Sequence, residues 1–208
     1  VGLADRLAGA RPLSPSTRMR LRIVHADALR SLGRSGEAQQ RLQAAIDDAL
    51  VTGDRRAQAT IRLRLGILAS EGGDNDRARL LCRQACDLGA ELGDLLLVAR
   101  ARRELGIIAY DGGHMDEARE HYGASLALRS DLGDRRGEAD VLNNLGVHHA
   151  AQGRIDEAFD SFQQALQIHR EIGDRRAEGQ VLGNLGSAAI ERGTYEDAAA
   201  FFDQALVI

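Results

Sequence analysis

Residues 133–172 read GDRRGEADVLNNLGVHHAAQGRIDEAFDSFQQALQIHREI, and their pattern recurs along the chain with a period of 40 residues. Four series of residues keep this spacing without an insertion. They are Gly-Asp at positions 53, 93, 133 and 173, Leu-Gly at 65, 105, 145 and 185, Gly at 33, 73, 113, 153 and 193, and Ala at 38, 78, 118, 158 and 198. This self-similarity predicts that the chain is an array of one repeated structural unit.

Each repeated position suits a pair of helices. Gly133 predicts a helix end, because glycine enters the left-handed backbone conformation without the steric penalty that other residues incur. Asp134 is predicted to cap the next helix, since its carboxylate accepts hydrogen bonds from backbone N–H groups that lack a partner. Gly153 is predicted to separate the two helices inside the unit. The sequence therefore predicts two helices in every 40 residues.

Apolar residues within the quoted segment follow helical spacing. They comprise Ala139, Leu142, Leu145, Gly146 and His149 on one face of the first helix, and Ala158, Phe162 and Ala165 on one face of the second. Gly146 has no side chain where the partner helix is predicted to cross, so the two backbones can approach closely. His149 is predicted to be a core histidine whose hydrogen bonds are satisfied.

These positions carry a family resemblance. A Leu-Gly pair, an Ala twelve residues after the Gly, an aromatic residue four further on and an Ala three after that resemble the tetratricopeptide repeat (TPR), whose usual period is ~34 residues. Leu145-Gly146, Ala158, Phe162 and Ala165 match all of these positions. HEAT and armadillo repeats have suitable lengths but lack this spacing. The 40-residue form is similar to the repeats of kinesin light chains, of LGN-type scaffolds and of bacterial STAND-type regulators.

The resemblance implies an all-α fold, an α-solenoid of about five TPR hairpins that form a right-handed superhelix. The repeats are expected at 13–52, 53–92, 93–132, 133–172 and 173–208, in a single array that covers residues 1–208. Residues 1–12 are expected to be the end of a preceding repeat, which brings the predicted total to about eleven helices. Because no polar capping helix follows the last repeat, although solenoids normally need one, we expect the chain to be a fragment of a longer protein.

The charged residues argue against some classes of partner. The net charge of −4 disfavours non-specific binding to nucleic acid. All 27 basic residues are Arg, which we attribute to a GC-rich bacterial genome. No apolar run is long enough to span a bilayer and no signal peptide is evident, so we expect a cytoplasmic protein that does not bind membranes. Cys82 and Cys86, one helical turn apart, are expected to be free thiols.

The sequence contains no arrangement typical of an active site. The six histidines form neither a His-Glu-x-x-His motif nor a Cys/His ligand set. Asp74-Asn75-Asp76 lacks the central Gly and the distal Glu of a calcium loop, and the glycines form no phosphate-binding loop. We therefore predict that the protein is not an enzyme and that it uses neither a cofactor nor a metal ion.

The resemblance assigns partner binding to the outward positions of the first helices, which line the concave surface of TPR arrays. Asn144 and Asn184 occupy such positions one repeat apart, and a side-chain amide can both donate and accept hydrogen bonds. The resemblance implies that they hold the backbone of an extended peptide; the alternative is that they serve packing or face water. The predicted binding residues are Arg64, Arg100, Arg103, Glu104, Tyr110, Asn143, Asn144 and Asn184.

Two functions are open from the sequence. The first is a scaffold that binds a peptide or partner protein with acidic and apolar stretches, within a bacterial signalling or transcription-regulatory protein. The second is self-assembly through exposed end helices, which would position a neighbouring effector domain. The Arg pairs after the capping Asp residues form a further surface. It is either a strip for an anionic partner or a solvated edge paired with acids such as Glu138 and Glu178.

Overall fold

A computed structural model describes residues 13–208, and the regular structure in this range consists of ten α-helices without a β-strand. The helices are α1 (Pro15–Ser31), α2 (Ser35–Val51), α3 (Arg55–Glu71), α4 (Asn75–Glu91), α5 (Leu95–Asp111), α6 (Met115–Asp131), α7 (Arg135–Ala151), α8 (Ile155–Ile172), α9 (Arg175–Glu191) and α10 (Tyr195–Leu206). The predicted all-helical architecture is confirmed. The expected end of a preceding repeat, residues 1–12, lies outside the described residues, and so does its helix.

Glycines in the left-handed conformation separate the helices at intervals of 20 residues. Nine glycines between residues 13 and 208 have φ between 65° and 80°, and they include the Gly-Asp glycines and the second glycine series of the repeat. At the start of α7, Asp134 Oδ1 accepts a hydrogen bond from the Gly137 N–H at 3.1 Å. The same cap at the starts of α3, α5 and α9, at 2.9–3.2 Å, is formed by Asp54, Asp94 and Asp174.

The chain divides into two compact units, Val1–Leu92 and Gly93–Ile208. The first contains α1 to α4 and the second contains α5 to α10. In the first unit, α2 packs against both α1 and α3, and α4 packs against α3. The core of this unit includes Met19, Leu29, Leu42, Ile61 and Leu65, each at most 5% exposed.

In the second unit the helices form two layers. Each helix packs against the next along the chain, from α5 to α10. In addition, α5 contacts α7 and α7 contacts α9, whereas α6, α8 and α10 make no comparable contacts with one another within residues 93–208. The layer of α5, α7 and α9 is therefore the more closely spaced, and we call it the inner layer of this unit.

The repeat glycines lie where the two helices of a pair cross. A Cβ atom added at Gly146 on α7 would lie 2.4 Å from Cε1 of Phe162 on α8, so the aromatic ring occupies the space that the glycine leaves. Gly106 faces Tyr122 in the same way, and an added Cβ there would lie 2.6 Å from the ring. The close approach predicted from the Leu-Gly and aromatic positions is confirmed.

The Arg pairs that follow the capping Asp residues form ion pairs. Arg135 Nη1 lies 2.7 Å from Glu138 Oε2, and its Nη2 lies 2.8 Å from Glu171 Oε2. Arg175 Nη1 lies 2.7 Å from Glu178 Oε2. These contacts agree with the paired, solvated edge that was the alternative to an anion-binding strip.

Each unit also buries one carboxylate between two arginines. Asp48, 4% exposed, accepts a hydrogen bond from Arg18 at 2.7 Å and another from a second arginine at 2.5 Å. Glu178, 5% exposed, accepts one from Arg170 at 2.9 Å and one from Arg175 at 2.7 Å. The hydrogen bond from Arg18 lowers the pKa of Asp48, and the hydrogen bond from Arg170 lowers the pKa of Glu178.

Candidate functional site

Arg64, the predicted binding residue of the first unit, is already engaged within the protein. Its Nε donates to Asp27 Oδ1 at 2.9 Å, and its Nη2 donates to Asp27 Oδ2 at 3.0 Å. This bidentate pair joins α3 to α1 in the geometry that suits a guanidinium and a carboxylate best. The positive charge that the sequence assigned to this position is therefore neutralised by a neighbouring helix.

Three predicted residues lie on α5 in the second unit. Arg103 Nη2 donates to Glu104 Oε1 at 2.5 Å. Glu104 is 6% exposed, so its side chain does not project into solvent as predicted. Arg100 is exposed, and within the described residues it forms no ion pair. Of the arginines expected to make a groove basic, Arg100 is the one whose charge stays unpaired in the described part of the chain.

Tyr110 is half-buried because its ring packs against His148, with the ring centroids 6.4 Å apart. His148 is fully buried and also contacts Tyr122 and His149, at 6.3 and 5.7 Å between centroids. Burial lowers the pKa of both histidines. The prediction of a satisfied core histidine at His149 is wrong, since His149 is half-buried and its Nδ1 has no hydrogen-bond partner between residues 13 and 208.

The three predicted asparagines lie together in the inner layer of the second unit. Asn184 Nδ2 on α9 donates to Asn143 Oδ1 on α7 at 2.8 Å, so this amide pair joins two inner helices. Asn144 Nδ2 is buried and has no hydrogen-bond partner among the described residues. Asn143 and Asn184 therefore contribute to packing between repeats, while Asn144 keeps an unused donor.

A polar cavity of about 120 Å³, which we call the inner cavity, lies beside Asn143 and Asn144. Its polar lining comprises Arg103, Asp140, Asn143, Asn144, His169 and Gln180, and Ala177 and Val181 complete it. His169 comes from α8 in the outer layer and is only 1% exposed. Its Nδ1 has no hydrogen-bond partner in the described part of the chain. The inner cavity therefore combines polar groups from both layers of the unit.

Arg129 occupies the repeat position equivalent to His169, one repeat earlier. It is 5% exposed, and its Nη1 donates to Asp134 Oδ2 at 2.7 Å. A Cβ at Gly137 would lie 1.4 Å from that Nη1, so the glycine provides the space that the guanidinium fills. One repeat later, the smaller His169 and Ala177 both line the inner cavity, which leaves the equivalent space open.

The sequence analysis missed His169, and the repeat alignment contained the signal that could have found it. The position reads Ala49, Gly89, Arg129 and His169 in successive repeats. Two polar side chains thus replace small residues on a second helix, where the resemblance directs attention only to first helices. A comparison of polarity by repeat position would have singled out both.

Sequence profiles of the tetratricopeptide repeat match residues 97–165, 137–208 and 23–93. The chain belongs to the tetratricopeptide-repeat family. No curated protein matches the sequence. Between residues 13 and 208, no helix of the TPR array has both the length and the apolar character needed to cross a membrane. Over the same range, no group of three or more His, Cys, Asp and Glu side chains could hold a metal ion.

Solved structures share the TPR fold at low identity. The Rap conjugation gene regulator of the plasmid pLS20, in complex with the Phr* peptide, aligns at 17% identity and a TM-score of 0.81, over 95% of this chain and 56% of that one. A putative kinesin light chain from Podospora anserina aligns at 17% and 0.70, over 93% and 95%. A STAND protein with a tetratricopeptide repeat sensor from Pyrococcus horikoshii aligns at 18% and 0.76, over 92% and 31%. At these identities the likeness shows the fold alone.

Proposed function

We propose that this TPR array is a protein-interaction scaffold and that the inner layer of the unit Gly93–Ile208 binds an extended peptide segment. One observation carries the proposal: Asn144 holds a buried amide donor without a partner among the described residues, beside the Asn143–Asn184 pair. Buried polar groups are nearly always hydrogen-bonded, and the carbonyl of an extended peptide would supply the missing acceptor. The similar Rap regulator, solved with a peptide, supports this reading.

The partner segment is proposed to carry acidic and apolar stretches. Arg100 offers an exposed guanidinium without an ion pair in the described residues, so we assign the acidic contact to it. Arg64 and Arg103 contribute less, because each is already bound to a carboxylate of the chain. Val147 is a partly exposed apolar side chain on α7 that such a segment could cover. We propose a protein or peptide partner rather than a nucleic acid, in keeping with the net charge of −4.

The finer architecture and the cellular role belong to this proposal. We propose a single array of five hairpins at the predicted repeat boundaries, wound into a right-handed superhelix, and a place in the cytoplasm. We also propose that the array serves a bacterial signalling or transcription-regulatory protein. The fold shared with a conjugation gene regulator and with a STAND protein that uses TPRs as a sensor supports the regulatory role.

Random dodecapeptides displayed on phage and selected on the whole chain would test the function. Synthetic versions of enriched peptides would then be titrated by calorimetry into the wild type and into Asn144→Ala. We expect Asn144→Ala to weaken binding by about 1–3 kcal/mol, because a buried peptide group loses its partner. Gln163→Ala removes an exposed amide from α8 in the outer layer and should leave affinity unchanged. Equal affinities for wild type and Asn144→Ala would move the binding surface elsewhere.

Self-assembly is the second candidate, and the exposed apolar side chains of the last helix favour it. Tyr195 is 70% exposed, Leu206 is 85% exposed, and the adjoining Val207 is 82% exposed. Clusters of exposed apolar side chains often mark protein contacts. Sedimentation velocity over a range of concentrations separates the two functions, because a groove binder alone stays monomeric. A dimer that dissociates in Leu206→Glu would support self-assembly.

A further inference from the structure

The inner cavity contains polar atoms that a peptide backbone over Asn144 would not satisfy. Arg103 Nε and His169 Nδ1 are buried, and neither has a hydrogen-bond partner within residues 13–208. Both residues line the cavity, whose volume of about 120 Å³ would hold several water molecules at about 30 Å³ each. Because buried polar groups are rarely left without partners, the cavity is built to receive a polar group.

The charges around the cavity identify the kind of group. Arg103 is neutralised by Glu104 at 2.5 Å, and Asp140 lines the cavity without an ion pair among the described residues. A carboxylate inside would lie beside the Asp140 carboxylate and be repelled. A cation would face the N–H donors of Asn144 and Arg103, which need acceptors. Neither charged group suits the whole lining.

We propose that the inner cavity is a subsite for a neutral carboxamide, the side chain of an Asn or Gln in the bound segment. Its oxygen would accept from Asn144 Nδ2 and Arg103 Nε, and its two N–H bonds would donate to Asp140 and to an unprotonated His169 Nδ1. The subsite rests on the proposed function, because the group arrives on a peptide held by the inner layer. It adds a side-chain preference that backbone contacts alone do not provide.

Small probes test the subsite without any peptide. The ¹⁵N- and ¹³C-labelled chain would be titrated with acetamide, acetate and methylguanidinium while the Asn144 side-chain amide and His169 ring resonances are followed. Acetamide is expected to shift both sets in a saturable way, and the two charged probes are expected not to. A stronger response to acetate, or no response to acetamide, would overturn the carboxamide assignment.

Ala177→Leu is the variant matched to this test. Leu97 stands at the same repeat position and is 5% exposed, so the chain already accommodates leucine there. The larger side chain is expected to fill the cavity and abolish the acetamide shifts. Ala57→Leu makes the same change at the same repeat position in the first unit and should leave the shifts intact. Circular dichroism reports whether both variants are folded, and Asn144→Asp, read at the His169 ring, removes the donor without added bulk.

Peptides separate the subsite from the proposed function. Peptides enriched on the wild type should share an Asn or Gln at one position. Replacing it with Asp or Glu should weaken binding at least about tenfold, and Ala177→Leu should remove most of that difference. Enriched peptides without this preference, together with no acetamide response, would overturn the subsite and leave the scaffold function standing. Acetamide shifts without any peptide binding would overturn the scaffold function and support the cavity assignment.

Discussion

At the scale of single residues, the repeat glycines matter through the atoms they lack. Gly146 lies under the ring of Phe162, which is 2% exposed and has no free path into solvent. The same absence of a Cβ serves a polar purpose at Gly137, where the Arg129 guanidinium fills the space. A single methyl group at either position would force a buried side chain out of its place.

Gly146→Ala should therefore destabilise the protein by about 1–3 kcal/mol, because the new Cβ overlaps the Phe162 ring and overpacks the helix crossing. Urea unfolding followed by circular dichroism measures the change. Gly183→Ala is the matched control on α9, where an added Cβ meets nothing within 4 Å. It should raise stability by about 0.5–1 kcal/mol through helix propensity. Equal stabilities for the two variants would contradict the close approach at Gly146.

The sequence predicted backbone positions better than side-chain partners. The Leu-Gly register placed Gly146 at a crossing because that requirement is local and recurs in each repeat. Asn143 and Asn184 were predicted to be in the inner layer, but their hydrogen bond joins residues 41 positions apart, and nothing in one repeat indicates it. The burial of Glu104 against Arg103 was missed for a related reason, since helical spacing alone does not specify which charged side chain folds inward.

At the scale of helices, the two helices of a repeat begin differently. The first helices α3, α5, α7 and α9 begin with an Asp whose carboxylate accepts from the backbone three residues on. The second helices α2, α6, α8 and α10 begin at Arg34, His114, Arg154 and Thr194, without a side-chain cap hydrogen bond. The Gly-Asp pair was legible in the sequence because both residues have a fixed local role.

Asp54→Ala should lower the free energy of unfolding by about 0.5–2 kcal/mol, because the Ala57 N–H at the start of α3 loses its acceptor. His114→Ala is the control, since the exposed His114 precedes α6 without such a bond. Thermal unfolding of both variants gives the comparison, and Asp54→Asn should restore most of the loss. A change at His114 as large as that at Asp54 would show that the caps are not the cause.

At the scale of the whole molecule, acid should destabilise both units, in two steps. Asp48 and Glu178 have pKa values below their ordinary 3.8 and 4.5 in the folded state. Their contribution is therefore complete above those values and is lost as the pH falls through the lower folded pKa. His148 is buried, and its folded pKa lies below the ordinary 6.5. The unfolded chain therefore binds this proton first, and stability declines as the pH falls below about 6.5.

His148→Ile tests the upper step, because Ile108 occupies the same position one repeat earlier and is 1% exposed. The substitution should flatten the fall in unfolding free energy between pH 7 and pH 5, by at most about 1.4 kcal/mol per pH unit for one proton. His121 and His149 also have lowered pKa values, so part of the slope should remain. His114→Gln, at an exposed site, is the control. Unaltered pH dependence in His148→Ile would exclude His148 as the source.

The unbroken 40-residue register has a consequence for how such a gene can change length. An in-frame duplication or loss of 120 base pairs rejoins Gly-Asp to Gly-Asp wherever the cut falls, so unequal crossing-over preserves every helix boundary. The buried Arg129 restricts this freedom. Loss of residues 133–172 would put Ala177 where Gly137 had been, and its methyl group would occupy the space of the guanidinium. Arg129 and Gly137, four residues on either side of a repeat junction, must therefore be inherited together.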